Sequence, residues 1–441
     1  MSDADLHLAV LKALDQARPD AAVTVLRPLL ADHLQASQVR LLLANYQLTA
    51  LRPVGDPDDR VVLRDTPAGE AFVTQCPVTR TGDVGETLLC LPVSIRGDRL
   101  GVLELALPAE SAPLDLESLG ELATVIGYAL QAAARQTDAV QRAARSQRLT
   151  LAAELQWQLL PGRGCRAPEY QLAGHLEPAY HVHADNFDWS QDGDQLILSV
   201  TDAARHDRCA SLLTTLAVTA LRNARRAELD IAEQVSMADQ AVYAHHQGKQ
   251  YVSALVVGID LSSGRARAVL AGSPQLYIQR GDEVLQPPLS DQLPLGMFDG
   301  TEYAAEHFAL VTGDRLLMVS DGVHAARSPA REHFGSGRLP QLLRASTQLT
   351  VGGVVRRVVD ELFEHLDLAE LHDDAAVICL DWAGPGRADS VAALPRAEDV
   401  QTGRVPRTRG GLSIVPHGAG SEGERRAAPP SSAFAHSPLT P

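Results

Sequence analysis

The chain has 441 residues, 45% hydrophobic and 21% charged, with a formal net charge of −16. That length holds two or three domains with real cores and excludes a chain that is disordered throughout. The acid excess excludes nucleic acid or an anionic membrane as the main partner and is read as the surface of a soluble protein.

Residues 5–16 and 20–35 carry apolar positions at helical spacing, with Pro19 between them, and predict two helices. Residues 39–51 predict a strand pair or one long strand. A hairpin follows, with arms Thr87 to Ile95 and Arg99 to Leu107 around Arg96-Gly97-Asp98. From 115 to 160 helical periodicity runs without proline, and Leu116, Leu119, Leu122, Ala123 and Ile126 share one stripe. The length suggests a connecting helix or a dimeric coiled coil; two ordinary helices broken near Gln136–Asp138 are the alternative. Residues 208–226 predict an amphipathic helix packed on a sheet, and residues 384–441, rich in Gly, Pro, Ser, Arg and Ala, a disordered tail.

Cys76, Cys90, Cys165, Cys209 and Cys379 are scattered, with no CxxC pair, which argues against a disulfide framework or a structural zinc site. No segment offers the ~18 apolar residues of a membrane span, and Met1 to Leu8 lacks a basic leader. A cytoplasmic location with no membrane partner is expected.

Asp185, Asp202, Asp321 and Asp373 each stand at the end of an apolar strand-like run. Clustered carboxylates lose hydration and repel one another unless a cation compensates them. Oxygen-only ligands favour Mg²⁺ or Mn²⁺ over Zn²⁺. Asp192-Gly193 is a hairpin turn signal, with Asp185 8 residues before Gly193 and Asp202 9 after it. Folding there brings Asp185 and Asp202 side by side. Arg315 to Ser320 predicts a strand ending at Asp321-Gly322, and Ala375 to Leu380 one that starts just after Asp373-Asp374. If those two strands pair antiparallel, Asp321 meets Asp373, and two packed sheets present all four acids at one mouth.

The ordered series resembles the stage II sporulation protein E and RsbU branch of the type 2C metal-dependent serine/threonine phosphatases. It is carried by Glu154-Leu155-Gln156 with Leu159-Leu160-Pro161, by Pro178-Ala179, by Asp185 with Asp188, and by Asp202 with His206. Pro294-Leu295-Gly296, Ser320-Asp321-Gly322-Val323, Phe334-Gly335 with Arg338-Leu339, and Asp373-Asp374 complete it. Residues 89–105, with Gly69-Glu70-Ala71 and Cys76-Pro77-Val78, resemble a GAF domain.

The resemblances imply an α/β (α+β) chain: a GAF-like sensor at 1–130, a connecting helix at 131–160, an αββα sandwich phosphatase-like domain at 161–383, and the tail. They imply two Mn²⁺ or Mg²⁺ ions on Asp185, Asp202, Asp321, Asp373 and the carbonyl of Ala203, with Asp374 beside them. A water bridging the ions would attack phosphorus in line. The implied substrate is a phosphoserine or phosphothreonine protein, an anti-sigma-factor antagonist in a partner-switching pathway, and the sensor and helix would form a homodimer. Asp188 is either a supporting acid or a plain hairpin residue. Arg205 and His183 are ordinary surface residues by default, and His365, Glu370 and His372 an exposed helix end.

The flanks depart from the pattern. His183-Ala184 replaces Gly-Gly, Arg205-His206-Asp207 replaces Gly-His-Gly, and Ala271-Gly272-Ser273 replaces Ala-Gly-His. Those losses leave open a non-catalytic binding scaffold built on a degenerate phosphatase fold. A metal-dependent nuclease or phosphodiesterase would use the same ions but gains nothing from an acidic surface.

Overall fold

The computed structural model describes residues 3–54, 59–81, 86–108, 115–145, 149–179, 184–203 and 210–385. The predicted tail therefore lies almost wholly outside the described residues, as do His183, Arg205 and His206.

The N-terminal half contains α1 (Asp3–Gln16), α2 (Ala22–Leu34), β1 (Gln38–Ala44), β2 (Ala50–Pro53), β3 (Val61–Val62), α3 (Pro67–Thr74), β4 (Val78–Thr81), β5 (Glu86–Ile95), β6 (Asp98–Pro108) and α4 (Leu116–Ala133). Its strands form one antiparallel sheet in the order β3-β2-β1-β6-β5-β4. Side chains alternate along a strand. Leu41, Leu43, Leu89 and Leu91 therefore face α1, α2 and α4, while Leu42 and Cys90 face α3 with Phe72. Residues 39–51 resolve as a strand pair, closed by the Asn45 side chain, which accepts from Thr49 N at 2.8 Å and Ala50 N at 3.1 Å. The hairpin turns at Arg96 and Gly97, both at positive φ (49° and 91°).

Of the two readings of 115–160, the continuous helix is not there, and the break near Gln136–Asp138 is. After α4 come two short helices, α5 (Ala139–Ala144) and α6 (Leu151–Leu159). Short polar side chains restart the backbone: Thr137 Oγ1 accepts from Ala139 N at 3.2 Å, and Thr150 Oγ1 from Ala153 N at 3.2 Å. The stripe read as a dimer seam is spent inside the chain, because Leu119, Leu122, Ala123 and Ile126 are buried against the N-terminal sheet. Each such buried leucine or isoleucine contributes roughly 1.5–3 kcal/mol.

The C-terminal half continues with β7 (Gly164–Arg166), β8 (Tyr170–Glu177), β9 (Asn186–Asp192), β10 (Gln195–Ala203), α7 (Ala210–Arg226), α8 (Ile231–His246), β11 (Val252–Asp260), β12 (Arg265–Ala271), β13 (Gln275–Arg280) and β14 (Glu283–Leu285). It ends with β15 (Glu306–Ala309), β16 (Arg315–Val319), α9 (Asp321–His324), α10 (Arg338–Ala345), α11 (Val351–His365) and β17 (Ala375–Trp382). Two antiparallel sheets form, ordered β15-β12-β11-β10-β9 and β14-β13-β16-β17-β8-β7. Leu196, Leu198 and Val200 of the first meet Leu316, Met318, Ile378 and Leu380 of the second in a shared core. The alternate residues face outward: Leu317, Val319 and Val377 against α10 and α11, and Ile197 and Val256 against α7 and α8. This is an αββα sandwich.

Among the contacts between the halves is an aromatic stack. Tyr46 lies on Trp157 of α6 with ring centroids 4.6 Å apart, and the Arg163 guanidinium is 5.8 Å from each ring centroid. Arg163 also donates from its backbone N–H to Asp98 Oδ1 at 3.1 Å and from Nη1 to the Asn45 carbonyl at 3.2 Å.

Candidate active site

The turn joining β9 and β10 falls at Gly193-Asp194, one residue later than the dipeptide signal, with Asp192 paired to Gln195. The ladder runs back to Asn186 opposite Thr201, so Asp185 and Asp202 stand just beyond it at the open end. Both are buried, at 1% and 6% exposure. Strands β16 and β17 pair antiparallel, with Val319 opposite Val377. Ser320 clasps their ends: its N–H donates to the Ala376 carbonyl, and its Oγ accepts from Ala376 N, both at 3.0 Å. Asp321 and Asp373-Asp374 leave the sheet beside this clasp. Gly322 is required there, because a Cβ on it would lie 1.9 Å from the Asp374 carbonyl oxygen.

The structure thus brings Asp185, Asp202, Asp321, Asp373 and Asp374 to one mouth of the sandwich. Burial pushes the Asp185 carboxyl well up, and the charges of Asp202, Asp374, Asp373 and Asp321 push it further. Asp202 is raised to about 8, first by burial, then by Asp321, with the Ser273 hydrogen bond opposing. Both carboxylate oxygens of Asp185 are buried without a hydrogen-bond partner among the described residues. An anion so placed calls for a cation. No group of three or more His, Cys, Asp or Glu side chains among the described residues could by itself hold an ion. A sparse, all-oxygen donor set fits Mg²⁺ or Mn²⁺, ions that keep several waters and take few carboxylates, and disfavours a zinc cage.

The remaining acids differ in what holds them. Asp374 is fully buried, and both its oxygens meet protein donors: Oδ1 accepts from Ala179 N at 2.8 Å and Oδ2 from Gln156 Nε2 at 2.5 Å. Asp373 Oδ1 accepts from Asp374 N at 2.9 Å. Asp202 Oδ2 accepts from Ser273 Oγ at 2.6 Å. Asp188 points away to α7, where Arg222 binds both its oxygens at 2.8 and 3.1 Å and Arg225 adds a third contact at 3.0 Å. Ala203, whose carbonyl was expected near the ions, is buried at the last position of β10.

Other matched residues serve the frame. Leu295 exchanges backbone hydrogen bonds with Val252, and Gly296 N donates to Asp239 Oδ1 at 2.7 Å. Phe334 is core, and Arg338 pairs with Glu361 and Glu364. His365, read as part of an exposed helix end, is instead buried: its Nε2 meets the Glu332 carbonyl at 2.9 Å and its ring tilts against Phe334. Its place on the inward stripe of α11 is the reason, whereas Glu370 and His372 are exposed. Two site residues had no role assigned from sequence. Gln156 lay inside a matched tripeptide, and Ser273 stood out only as a departure from a histidine.

The family model described as Stage II sporulation protein E (SpoIIE) matches residues 192–383. Protein IcfG of Synechocystis is 26% identical over 149 residues, which is 33% of this chain and 23% of that protein. The match thus spans about a quarter of that curated relative. Among solved structures, the SiaA PP2C domain of Pseudomonas aeruginosa aligns with a TM-score of 0.45 at 21% identity, covering 52% of this chain and 94% of that one. The RsbU and RsbW domains of a Mycobacterium tuberculosis protein align with a TM-score of 0.44 at 23% identity, covering 50% and 63%. Residues 192–383, most of the αββα sandwich, are thus similar to the family described as Stage II sporulation protein E.

Proposed function

We propose that the chain hydrolyses phosphoserine or phosphothreonine on a protein, using two Mn²⁺ or Mg²⁺ ions. Asp185, Asp202, Asp321 and Asp373, with the carbonyl of Ala203, would hold them. The observation that carries this reading is the convergence of mutually repelling acids on the unpartnered oxygens of Asp185. When bound, the ions would activate water and neutralise charge on the phosphoryl oxygens.

The chain's own residues supply placement. Asp374 was grouped with the metal ligands from sequence. Its engaged oxygens support a positioning role instead, with Gln156 holding it and the Asp185 backbone together. Ser273 fixes the rotamer of Asp202. The finer substrate, an anti-sigma-factor antagonist in partner switching, is the class typical of the branch whose motifs this chain resembles. The N-terminal half would act as the GAF-like sensor.

The experiment is phosphate release from an aryl phosphate and from a phosphoserine protein, with and without Mn²⁺. Turnover that needs Mn²⁺ and is lost in Asp202→Ala and Asp321→Ala is expected. A second reading, the non-catalytic scaffold, draws support from the Ser273 hydrogen bond, which engages an oxygen of Asp202 where the family pattern has a histidine. No Mn²⁺-dependent turnover and no calorimetric Mn²⁺ binding would favour the scaffold.

A further inference from the structure

A cavity of about 320 Å³ lies between the N-terminal half and the outer face of the C-terminal sandwich, and none of the clustered aspartates lines it. Its walls are mostly apolar, with Phe72, Val351, Val355 and Phe363 among them. Its size is at the small end of pockets that hold organic ligands.

One charged group on its wall is out of balance. Among the described residues no acid pairs with Arg99, and the charges that bear on it are those of Arg166 and Arg356, both positive. Burial and those two arginines lower its pKa to about 10. Its guanidinium sits at the first turn of α11, 3.5 Å from Thr350 Oγ1. Gly352 leaves the room: a Cβ there would lie 2.2 Å from Arg99 Nη2. A helix start presents unsatisfied N–H groups and the positive end of its dipole, the wrong surroundings for a lone cation. Arg356 also lines the cavity, and its nearest acid, Asp360, is 3.9 Å away and shared with Arg64.

Arg99, Arg356 and the start of α11 therefore bring positive potential to a largely apolar chamber; of the two acids that also line it, Asp360 faces Arg356 and Arg64, and Glu177 pairs with His175, which leaves Arg99 without one. A monoanion beside Arg99 relieves that potential, and the apolar walls ask for a hydrocarbon body behind it. Inorganic phosphate would match the charge and leave the walls unused. We infer that this cavity binds a compact apolar carboxylate, its carboxylate on Arg99 and its hydrocarbon part against Phe72, Val355 and Phe363. The site is separate from the proposed hydrolytic chemistry, so its test reads heat of binding rather than turnover.

The full chain is titrated by calorimetry with octanoate and with 1-octanol, its uncharged analogue. Octanoate is expected to bind with a Kd of about 1 mM or tighter, and octanol at least about tenfold more weakly. Arg99→Gln should erase the preference for octanoate, and Arg99→Lys should keep part of it. Val359→Phe, on the cavity wall, should block both ligands while leaving the thermal midpoint near wild type, which guards against misreading an unfolded Arg99 variant. Equal affinity for the two ligands, undiminished octanoate binding in folded Arg99→Gln, or no binding of octanoate at millimolar concentration would each overturn the inference.

Discussion

Gln156 donates its side-chain amide to the Asp374 carboxylate at 2.5 Å and to the Asp185 carbonyl at 3.0 Å. One amide on α6 thereby ties the start of β9 in one sheet to the start of β17 in the other at the acid cluster. Gln156→Ala leaves a buried carboxylate oxygen without its donor, which costs about 1–3 kcal/mol. Supporting residues of this kind typically change metal affinity about tenfold or more. Urea unfolding and Mn²⁺ titration should both register the loss, and a variant unchanged in both would remove this role from Gln156.

Asp188 should behave as a structural ion. Its side chain is 3% exposed and satisfied by Arg222 and Arg225, and Arg222 also donates to the Leu159 carbonyl at 2.6 Å. Asp188→Asn strands two partly buried guanidinium groups, so a stability loss of about 3 kcal/mol is expected. Mn²⁺ affinity of the folded variant should stay within about threefold of wild type, a span of well under 1.4 kcal/mol. A large drop in affinity with stability intact would return Asp188 to the metal site.

Asp185 should show the opposite balance. Its buried charge costs stability when no cation is present. Asp185→Asn is expected to raise the stability of the metal-free chain by about 1 kcal/mol. It should also abolish the gain that saturating Mn²⁺ gives wild type, about 2.7 kcal/mol at a hundredfold excess over Kd. Differential scanning calorimetry with and without Mn²⁺ separates the two effects. A variant still stabilised by Mn²⁺ would exclude Asp185 as a ligand.

His324 gives a pH dependence of known sign. Burial is the largest influence on its ring and lowers its pKa, opposed by a hydrogen bond with the Ser273 carbonyl at 2.9 Å. A base with a depressed folded pKa binds fewer protons folded than unfolded in the window between the two values. Its contribution is thus fully present above the ordinary histidine value, about 6.5, and is lost as pH falls through the folded pKa. His324→Gln should flatten that part of the stability profile between about pH 7 and pH 5, measured by urea unfolding. An identical slope in the two proteins would clear His324 of the effect.

The strand-end aspartates were legible in the chain because two local signals act together. Period-two apolar runs set the strands, and turn residues set where they reverse, so Asp185 and Asp202 could be placed opposite each other before any coordinates. Their meeting with Asp321 and Asp373 needed only the antiparallel pairing of β16 and β17. Gln156 and Ser273 were not legible as site residues, since each acts on an aspartate more than 70 residues away in sequence (218 and 71 positions). The helix break near Gln136–Asp138 was legible only as one of two alternatives. Periodicity carries past α4, whose stripe packs on the N-terminal sheet, into α6, which buries only Gln156 and Trp157. The weak stops at Thr137 and Thr150 decide the matter locally.

Trp157 and Gln156 are neighbours on one short helix, yet they answer to opposite ends of the molecule. The indole rests on Tyr46 from the N-terminal half, and the amide holds Asp374 of the last strand. A nine-residue rod gripped at both ends cannot rock toward one without tugging the other. Cutting away the N-terminal half therefore does more than remove a neighbouring domain: it frees one end of the grip on the acid cluster.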